Sequence, residues 1–420
     1  MATKKPTVRQ LEALLEASKL LNSTLESSEL LRRILDSARE LSGAERSTLY
    51  LVDEARQHIW TQVVSGPQIE SFRMPIGVGI AGHVIARGRT SRIRDAYRSP
   101  HFNRAQDRKT GYRTRSVLTV PFRGRDGEVA GAIQAINHVR RGYFDEHEQV
   151  VLEQLGDYAA LAIENARYVE ALKEKRRMEE DLLAARRIQH NMLPREIPTA
   201  PGVELAAVYV PCFEVGGDSY DALALDNGSI GFSVGDICGK GLTAAMMMAN
   251  LQSLLRAEAR RGSPPHETMA TMSGVFHEIT DVHQFATFFY GVLDPASGHL
   301  RFSSAGHDPM IVMHPDGSLA EIPLGGPPLG ILPTAEFPDH QVQLTPGDVC
   351  VVYSDGITEQ RNAHGEMYES ERLVETVRAL RGHTAPELVA KIRESVQEFA
   401  GGCAATDDFT LVVLRWSASA

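Results

Sequence analysis

Four short segments in the second half of the chain each set an aspartate in a glycine-rich or small-residue turn. They are Val215-Gly-Gly-Asp218-Ser-Tyr-Asp221, Val234-Gly-Asp236-Ile-Cys-Gly-Lys-Gly241, Tyr353-Ser-Asp355-Gly-Ile-Thr-Glu359 and Thr406-Asp407-Asp408, which runs on into Phe409–Leu414. Three of them begin or end a short apolar run that reads as a strand. Carboxylates gathered at strand ends repel one another unless a positive charge sits between them. Hard divalent cations, Mg²⁺ or Mn²⁺, satisfy such a set because they take oxygen ligands and keep bound waters. A pair of such ions can generate hydroxide and clamp a phosphoryl group. The fold must therefore bring several strand ends to one place.

The 420 residues leave room for two or three domains. A formal net charge of −10 argues against a nucleic-acid surface. Cys212, Cys238, Cys350 and Cys403 are widely spaced and form no C-x-x-C pair, which reads as reduced thiols in a cytoplasmic protein. The start of the chain, Met1 to Gln10, is polar rather than a secretory apolar core, and no run approaches the roughly 20 apolar residues of a membrane span.

Leu11, Leu14, Leu15, Ala17, Leu20 and Leu21 recur at helical spacing. Ser27 and Ser28 cap a second expected helix bearing Leu30, Leu31, Ile34, Leu35 and Ala38, and Gly43 stops it. Strand signals follow at 47–52, 58–63, 117–122 and 129–137, with Asp126-Gly127 as a hairpin turn between the last two. Gly77, Gly79 and Gly82 mark a turn into a short helix, and a long helix is expected from near His147. Ile76–Gly82, Val117–Phe122, Gly131–Asn137 and Leu161–Asn165, in that order, resemble a GAF domain, a small-molecule sensor module spanning 8–166. The stretch Ile93-Arg-Asp95-Ala-Tyr97, Phe102-Asn-Arg104, Asp107 and Thr110–Ser116 is similar to the cyclic-nucleotide-binding branch. That resemblance implies a small-molecule ligand, a cyclic nucleotide, near Asp95, Thr114 and Asn137. Where the branch carries Asn-Lys and a later Asp-Glu, this chain has Asn137-His138 and Glu148-Gln149.

Residues 147–193 read as a helical linker. Leu152, Leu155, Ala159, Ala162, Ala166, Val169 and Leu172, then Met178, Leu182, Ala185, Ile188 and Met192, step mainly by three and four, the coiled-coil spacing. The step from Leu172 to Met178 breaks that register at the charge run Lys173–Arg177. A parallel dimeric helix pair is expected, with Leu155, Ala162, Val169 and Leu182 at its seam, ended by Pro194 and Pro198.

Beyond Gly202 the pattern is α+β. Strands are expected at 286–293, 299–304, 310–314 and 318–322, and helices at 242–260, 264–281, 370–381 and 385–399. The ordered set of aspartate segments, with Ile188-Gln-His-Asn-Met-Leu-Pro194 ahead of them and Ala305-Gly-His307 and Pro328-Leu-Gly330 between, resembles the SpoIIE-like branch of metal-dependent type 2C Ser/Thr protein phosphatases over 194–417. The whole then reads as a multidomain α+β and α/β chain. Its expected parts are a GAF fold with an antiparallel sheet flanked by helices, a coiled-coil linker and a phosphatase αββα sandwich.

The resemblance implies two metal ions, Mn²⁺ or Mg²⁺, and a weaker third. It makes Asp236 the bridging ligand and gives the Ile237 carbonyl to the second metal. Asp355 and Asp407 complete the first, Asp218 serves the second, Glu359 serves the third and Asp408 supports. Asp236 and Asp355 carry the catalysis it implies. Asp221 reads as structural, and His307 as holding a loop. Cys238 stands where larger relatives place a histidine thought to protonate the leaving group, and the arginine that grips phosphate in those relatives has no clear counterpart. The implied substrate is a phosphoserine or phosphothreonine on an anti-sigma-factor antagonist protein. The alternative is a non-catalytic signalling adaptor with the same fold. A cyclic-nucleotide phosphodiesterase is excluded by the lack of the His/Asp metal cluster such enzymes need.

Overall fold

The computed structural model describes residues 27–53, 55–65, 68–281, 283–320, 322 and 325–418. The expected helix through Leu11–Leu21 lies outside them. The chain divides into two compact units, Met1–Arg177 and Met178–Ala420.

The first unit begins with α1 (Ser27–Ser42), whose Leu30, Leu31, Ile34, Leu35 and Ala38 recur at helical spacing and are all buried. Gly43 ends it in the left-handed region, as the sequence anticipates. Then come β1 (Ala44–Val52), β2 (His58–Ser65), β3 (Gln68–Pro75), α2 (Gly79–Arg87), β4 (Ser91–Ile93), α3 (Arg104–Thr110), β5 (Val117–Arg123) and β6 (Val129–His138). They form one antiparallel sheet in the order β3-β2-β1-β6-β5-β4. One face is covered by α1 and the start of the long helix α4 (Glu146–Met192): Ile34 and Leu35 share a core with Leu49, Phe122, Ile133 and Leu155. The other face packs Ala81, Val84 and Ile85 of α2 on Tyr50, Ile59 and Ala132. Strand β3 is absent from the sequence expectations. It is an edge strand paired only with β2, and its residues carry no clean two-residue alternation.

Helix α4 is continuous over 47 residues, about 70 Å at 1.5 Å per residue. The break in apolar spacing at Lys173–Arg177 is not a break in backbone, because Lys, Glu and Arg are all good helix formers. Leu155 and Ala162 are not on a seam between copies. They are buried in the core of their own unit, because the first half of the helix spends its apolar stripe covering the sheet. Beyond it, Tyr168, Val169, Leu172, Met178, Leu183 and Ile188 are exposed. Among the described residues no helix is long and apolar enough to cross a membrane.

In the second unit the elements are β7 (Val203–Val210), β8 (Ser219–Ala224), β9 (Ile230–Ile237), α5 (Leu242–Ala259), α6 (Pro265–Ile279), β10 (Ala286–Asp294), β11 (His299–Ala305), β12 (Ile311–Met313), β13 (His340–Gln343), β14 (Val349–Tyr353), α7 (Asp355–Thr358), α8 (Glu369–Leu380), α9 (Ala385–Ala400) and β15 (Phe409–Trp416). Two antiparallel sheets result, β13-β11-β10-β9-β8 and β12-β14-β15-β7. Phe232, Phe289 and Phe302 from the first meet Val312, Val352, Val412 and Leu414 from the second. Helices α5 and α6 cover the outer face of the first sheet through Met248, Leu251, Met269 and Phe276. Helices α8 and α9 cover the second through Leu373, Val377, Leu388 and Ile392. This is the expected αββα sandwich. Among the described residues of 318–322 there is no strand: beyond the turn from His314 to Ser318, Leu319 makes an isolated bridge to Met313 and the Ala320 N–H donates to the Val312 carbonyl at 3.0 Å.

Candidate metal centre

The antiparallel order decides where the aspartates go. Asp218 immediately precedes β8 and Asp236 lies near the end of its neighbour β9. Asp355 follows β14, and Asp407 and Asp408 precede its neighbour β15. Ends and beginnings of adjacent antiparallel strands coincide, so all four segments meet at one end of the sandwich.

Asp408 ties these segments together. Its Oδ1 accepts from the Cys212 N–H at 2.7 Å and its Oδ2 from the Asp218 N–H at 3.2 Å. Its carbonyl accepts from Ser354 Oγ at 3.2 Å. Thr410 Oγ1 donates to Asp218 Oδ2 at 2.6 Å, and the Asp408 N–H donates to Asp407 Oδ1 at 2.9 Å. Lys240 Nζ lies 2.8 Å from Asp407 Oδ2 and donates to the Thr406 carbonyl at 2.6 Å.

The glycines of the motifs are required by close approach. A Cβ on Gly216 would overlap the Asp408 carboxylate and the Tyr209 hydroxyl, and one on Gly356 would overlap the Asp408 carbonyl. A Cβ on Gly217 would lie 3.1 Å from the Ile237 carbonyl oxygen and crowd it.

Electrostatics make one group of these residues. Burial first, then the charges of Asp236 and Asp408, push the Asp218 carboxyl well above the usual carboxylate range. Asp236 is raised by burial and by Asp407 and Asp408, against the pull of Asp218's hydrogen bond and of Lys240. Asp355 is pushed up to about 7, by burial and then by Asp236, Asp407, Glu359 and Asp308. Like charges crowded this way call for cations, and the donors are all oxygens, the set that hard divalent ions take. Among the described residues no group of three or more His, Cys, Asp or Glu side chains is placed so as to hold a metal ion as it stands. The carboxylates face one another from separate strand ends, with Lys240 on Asp407 and Thr410 on Asp218. The chemistry of this all-oxygen donor set suits Mg²⁺ or Mn²⁺, which would draw the carboxylates together.

Asp308 belongs to this group and is missing from the sequence expectations, which singled out only His307 of Gly306-His307-Asp308-Pro309. Burial and the charge of Glu359 raise it. Lys240, within the Asp236 motif, carries no role in the sequence pattern, and the fold pairs it with Asp407. Two other readings hold. Asp221 is buried and paired with Arg256 Nε at 2.6 Å, a structural pair. His307 is buried, its Nδ1 is 2.9 Å from Thr287 Oγ1, and burial lowers it to about 4, so it is neutral at physiological pH.

In the first unit, Asp95, Thr114 and Asn137 lie around one stretch of backbone. The Asn137 amide accepts from the Arg115 and Ser116 N–H groups and donates to Glu45, Tyr112 and the Arg113 carbonyl. Thr114 gives both its N–H and its hydroxyl to Asp107. Asp95 caps the short helix that follows it, and its neighbour Ala96 donates to the Arg115 carbonyl at 2.6 Å. None of the three lines the cleft of about 550 Å³ bounded by Leu51, Phe122, Arg125, Ala160, Ile163 and Tyr168. The position of the expected lysine is filled by buried His138, and Glu148 pairs with Arg141.

Residues 226–417 match the family model described as Stage II sporulation protein E (SpoIIE), and residues 26–163 match that of the GAF domain. The chain is a GAF domain joined to a SpoIIE-type phosphatase domain. It is 28% identical over 237 residues to phosphoserine phosphatase RsbU of Bacillus subtilis, covering 55% of this chain and 68% of RsbU. It is 28% identical over 261 residues to Protein IcfG of Synechocystis sp., covering 56% of this chain but only 41% of that protein. The SiaA-PP2C domain of Pseudomonas aeruginosa shares the fold of the phosphatase domain, with a TM-score of 0.53 at 20% identity over 58% of this chain and 99% of that one.

Proposed function

We propose that the chain is a metal-dependent protein serine/threonine phosphatase whose activity is set by its GAF domain. The observation that carries this reading is the gathering of Asp218, Asp236, Asp355, Asp407 and Asp408 from two sheets into one mutually repelling group. Asp236, Asp355, Asp407, Asp218 and the Ile237 carbonyl are the groups that would hold two ions, with Asp236 expected to be shared between them. Glu359 serves a third, with Asp308 beside it. Bound Mn²⁺ or Mg²⁺ supplies an acidified water and positive charge opposite the phosphoryl oxygens. Asp408 holds the loops in place through the Cys212 and Asp218 N–H groups. Lys240, paired with Asp407, adds a further positive charge beside the carboxylates.

The substrate is a phosphoserine or phosphothreonine of a protein, an anti-sigma-factor antagonist; RsbU's description as a phosphoserine phosphatase supports it. The protein is cytoplasmic and pairs with a second copy through the exposed part of α4. The GAF domain takes a small ligand, a cyclic nucleotide, near Asp95, Thr114 and Asn137. The adaptor alternative is disfavoured by the complete carboxylate set. The purified chain should release phosphate from a phosphoserine peptide with Mn²⁺ present and not in excess chelator; undiminished release in chelator would overturn the reading.

A further inference from the structure

The last turns of α4 do not simply end beside the phosphatase domain. Gln189 Nε2 donates to the Gly216 carbonyl at 2.7 Å, and the Gly216 N–H donates back to Gln189 Oε1 at 3.2 Å. One side-chain amide thus satisfies both backbone groups of one residue, as a neighbouring strand would. Gly216 has no freedom on its other side, where the Asp408 carboxylate and the Tyr209 hydroxyl fill the place of a Cβ. Two residues on, Asp218 gives its N–H to the same Asp408 carboxylate and receives Thr410 on its own.

The end of the helix shares two partners with the far end of the same segment. The Met192 carbonyl accepts from Arg256 Nη2 at 2.6 Å and Gln252 Nε2 at 3.1 Å. Those two side chains also hold Asp221, Arg256 through Nε at 2.6 Å, and Gln252 bonds the Tyr220 carbonyl at 3.3 Å. Residues 216–221 are therefore held at one end by Gln189 of α4 and at the other by Gln252 and Arg256 of α5, which also bond the Met192 carbonyl, with Asp218 between.

We propose that Gln189 is a positioning residue for Asp218: its amide clasp on Gly216 sets where the Asp218 carboxylate stands in the metal centre. A turn of α4 about its axis lifts the amide from Gly216 and leaves that N–H and carbonyl unpaired. The Asp218 segment then has to shift to find other partners. The clasp is the point at which a movement of the linker becomes a change at the site. This rests on the phosphatase reading for its catalytic consequence, though not for its effect on metal affinity.

The test compares full-length wild type, Gln189→Leu, Gln189→Glu, Asp218→Asn and the double variant Gln189→Leu with Asp218→Asn. Mn²⁺ binding is measured by calorimetry, and kcat and KM on a phosphoserine peptide. Gln189→Leu should weaken Mn²⁺ binding about tenfold, as loss of a partner behind a metal ligand does, and lower kcat with KM unchanged. In the double variant it should add little to Asp218→Asn, since both act through one carboxylate. Gln189→Glu keeps the acceptor for the Gly216 N–H and loses the donor to its carbonyl, so it should fall between. If Gln189→Leu does not fold, Gln189→Glu decides. Wild-type Mn²⁺ affinity in a folded Gln189 variant overturns the proposal, whatever happens to its melting temperature. Should the wild type bind Mn²⁺ but hydrolyse nothing, the phosphatase reading fails alone and the metal titration still decides the clasp.

Discussion

Asp355 carries a pH dependence whose sign can be worked out. Its carboxyl is held up at about 7 in the folded chain, while an unfolded aspartate titrates near ~3.9. Between those values the folded chain keeps a proton that the unfolded chain has released. The folded state then binds more protons, and stability falls as pH rises across that window. Asp218 and Asp236, also raised, add in the same direction. Melting of the metal-free protein should drop between about pH 4 and about pH 7, and Asp355→Asn should flatten the drop. A wild-type slope no steeper than the variant's would contradict this account of the site. Mn²⁺ should reverse the trend, because ions bind the deprotonated ligands. The aspartates were legible because carboxylate, small neighbour and strand end occur together in the sequence. Asp308 was not, since it sits after a histidine in a turn that carries no such pattern. Its role comes from Asp355 and Glu359 lying nearby, which only the fold brings about. The glycines read as turn residues, but Gly216 and Gly356 are there because Asp408 leaves no space for a side chain.

Among the elements, α4 shows best where sequence spacing misleads. Helical periodicity says which side of a helix is apolar but not what covers it. Leu155 and Ala162 carry the same signal as Val169, yet the sheet of their own unit takes the first two and leaves the third exposed. The motif strands β9, β14 and β15 were readable because each is a largely buried apolar run next to small residues. The edge strand β3 has no such pattern, and the only signal for a strand at 318–322 is the hairpin turn before it. The continuity of α4 through Lys173–Arg177 makes it able to transmit rotation. Each residue inserted after Arg176 turns everything beyond by about 100° and advances it by 1.5 Å. Insertions of one to four residues should therefore change phosphatase activity in helical phase, with four closest to wild type. Sedimentation should give a dimer for each. A response that is flat with insertion length would make the helix a tether.

On the scale of the molecule, the order of parts was legible almost whole: a sensor fold, a long helix and an αββα sandwich. Each part has its own apolar pattern, and long helices and hairpin-linked strands are local features. What the GAF domain binds was not legible, because Asp95, Thr114 and Asn137 are residues that also hold backbone together, and here each does so. A ligand can shift activity only by its difference in affinity between two states, so the same ligand must bind better when the active state is favoured. Calorimetry of the full chain with cAMP and cGMP should give saturable heat for one of them, and Asn137→Ala should remove it. The absence of heat or thermal shift with either, at millimolar ligand, would leave the cyclic-nucleotide assignment without support.

The central claim is that the strand-end carboxylates build a metal site that hydrolyses phosphoprotein. Asp236 is its most connected member, standing between the charges of Asp218, Asp355 and Asp407. Replacing it by asparagine keeps the shape and removes its charge. The most direct measurement is therefore the Mn²⁺-dependent rate of phosphate release from a phosphoserine peptide by Asp236→Asn beside wild type, with circular dichroism showing both folded. The account predicts a loss of at least about a hundredfold, as for removal of a group that stabilises charge in the transition state. A folded Asp236→Asn protein that turns over at the wild-type rate would contradict it.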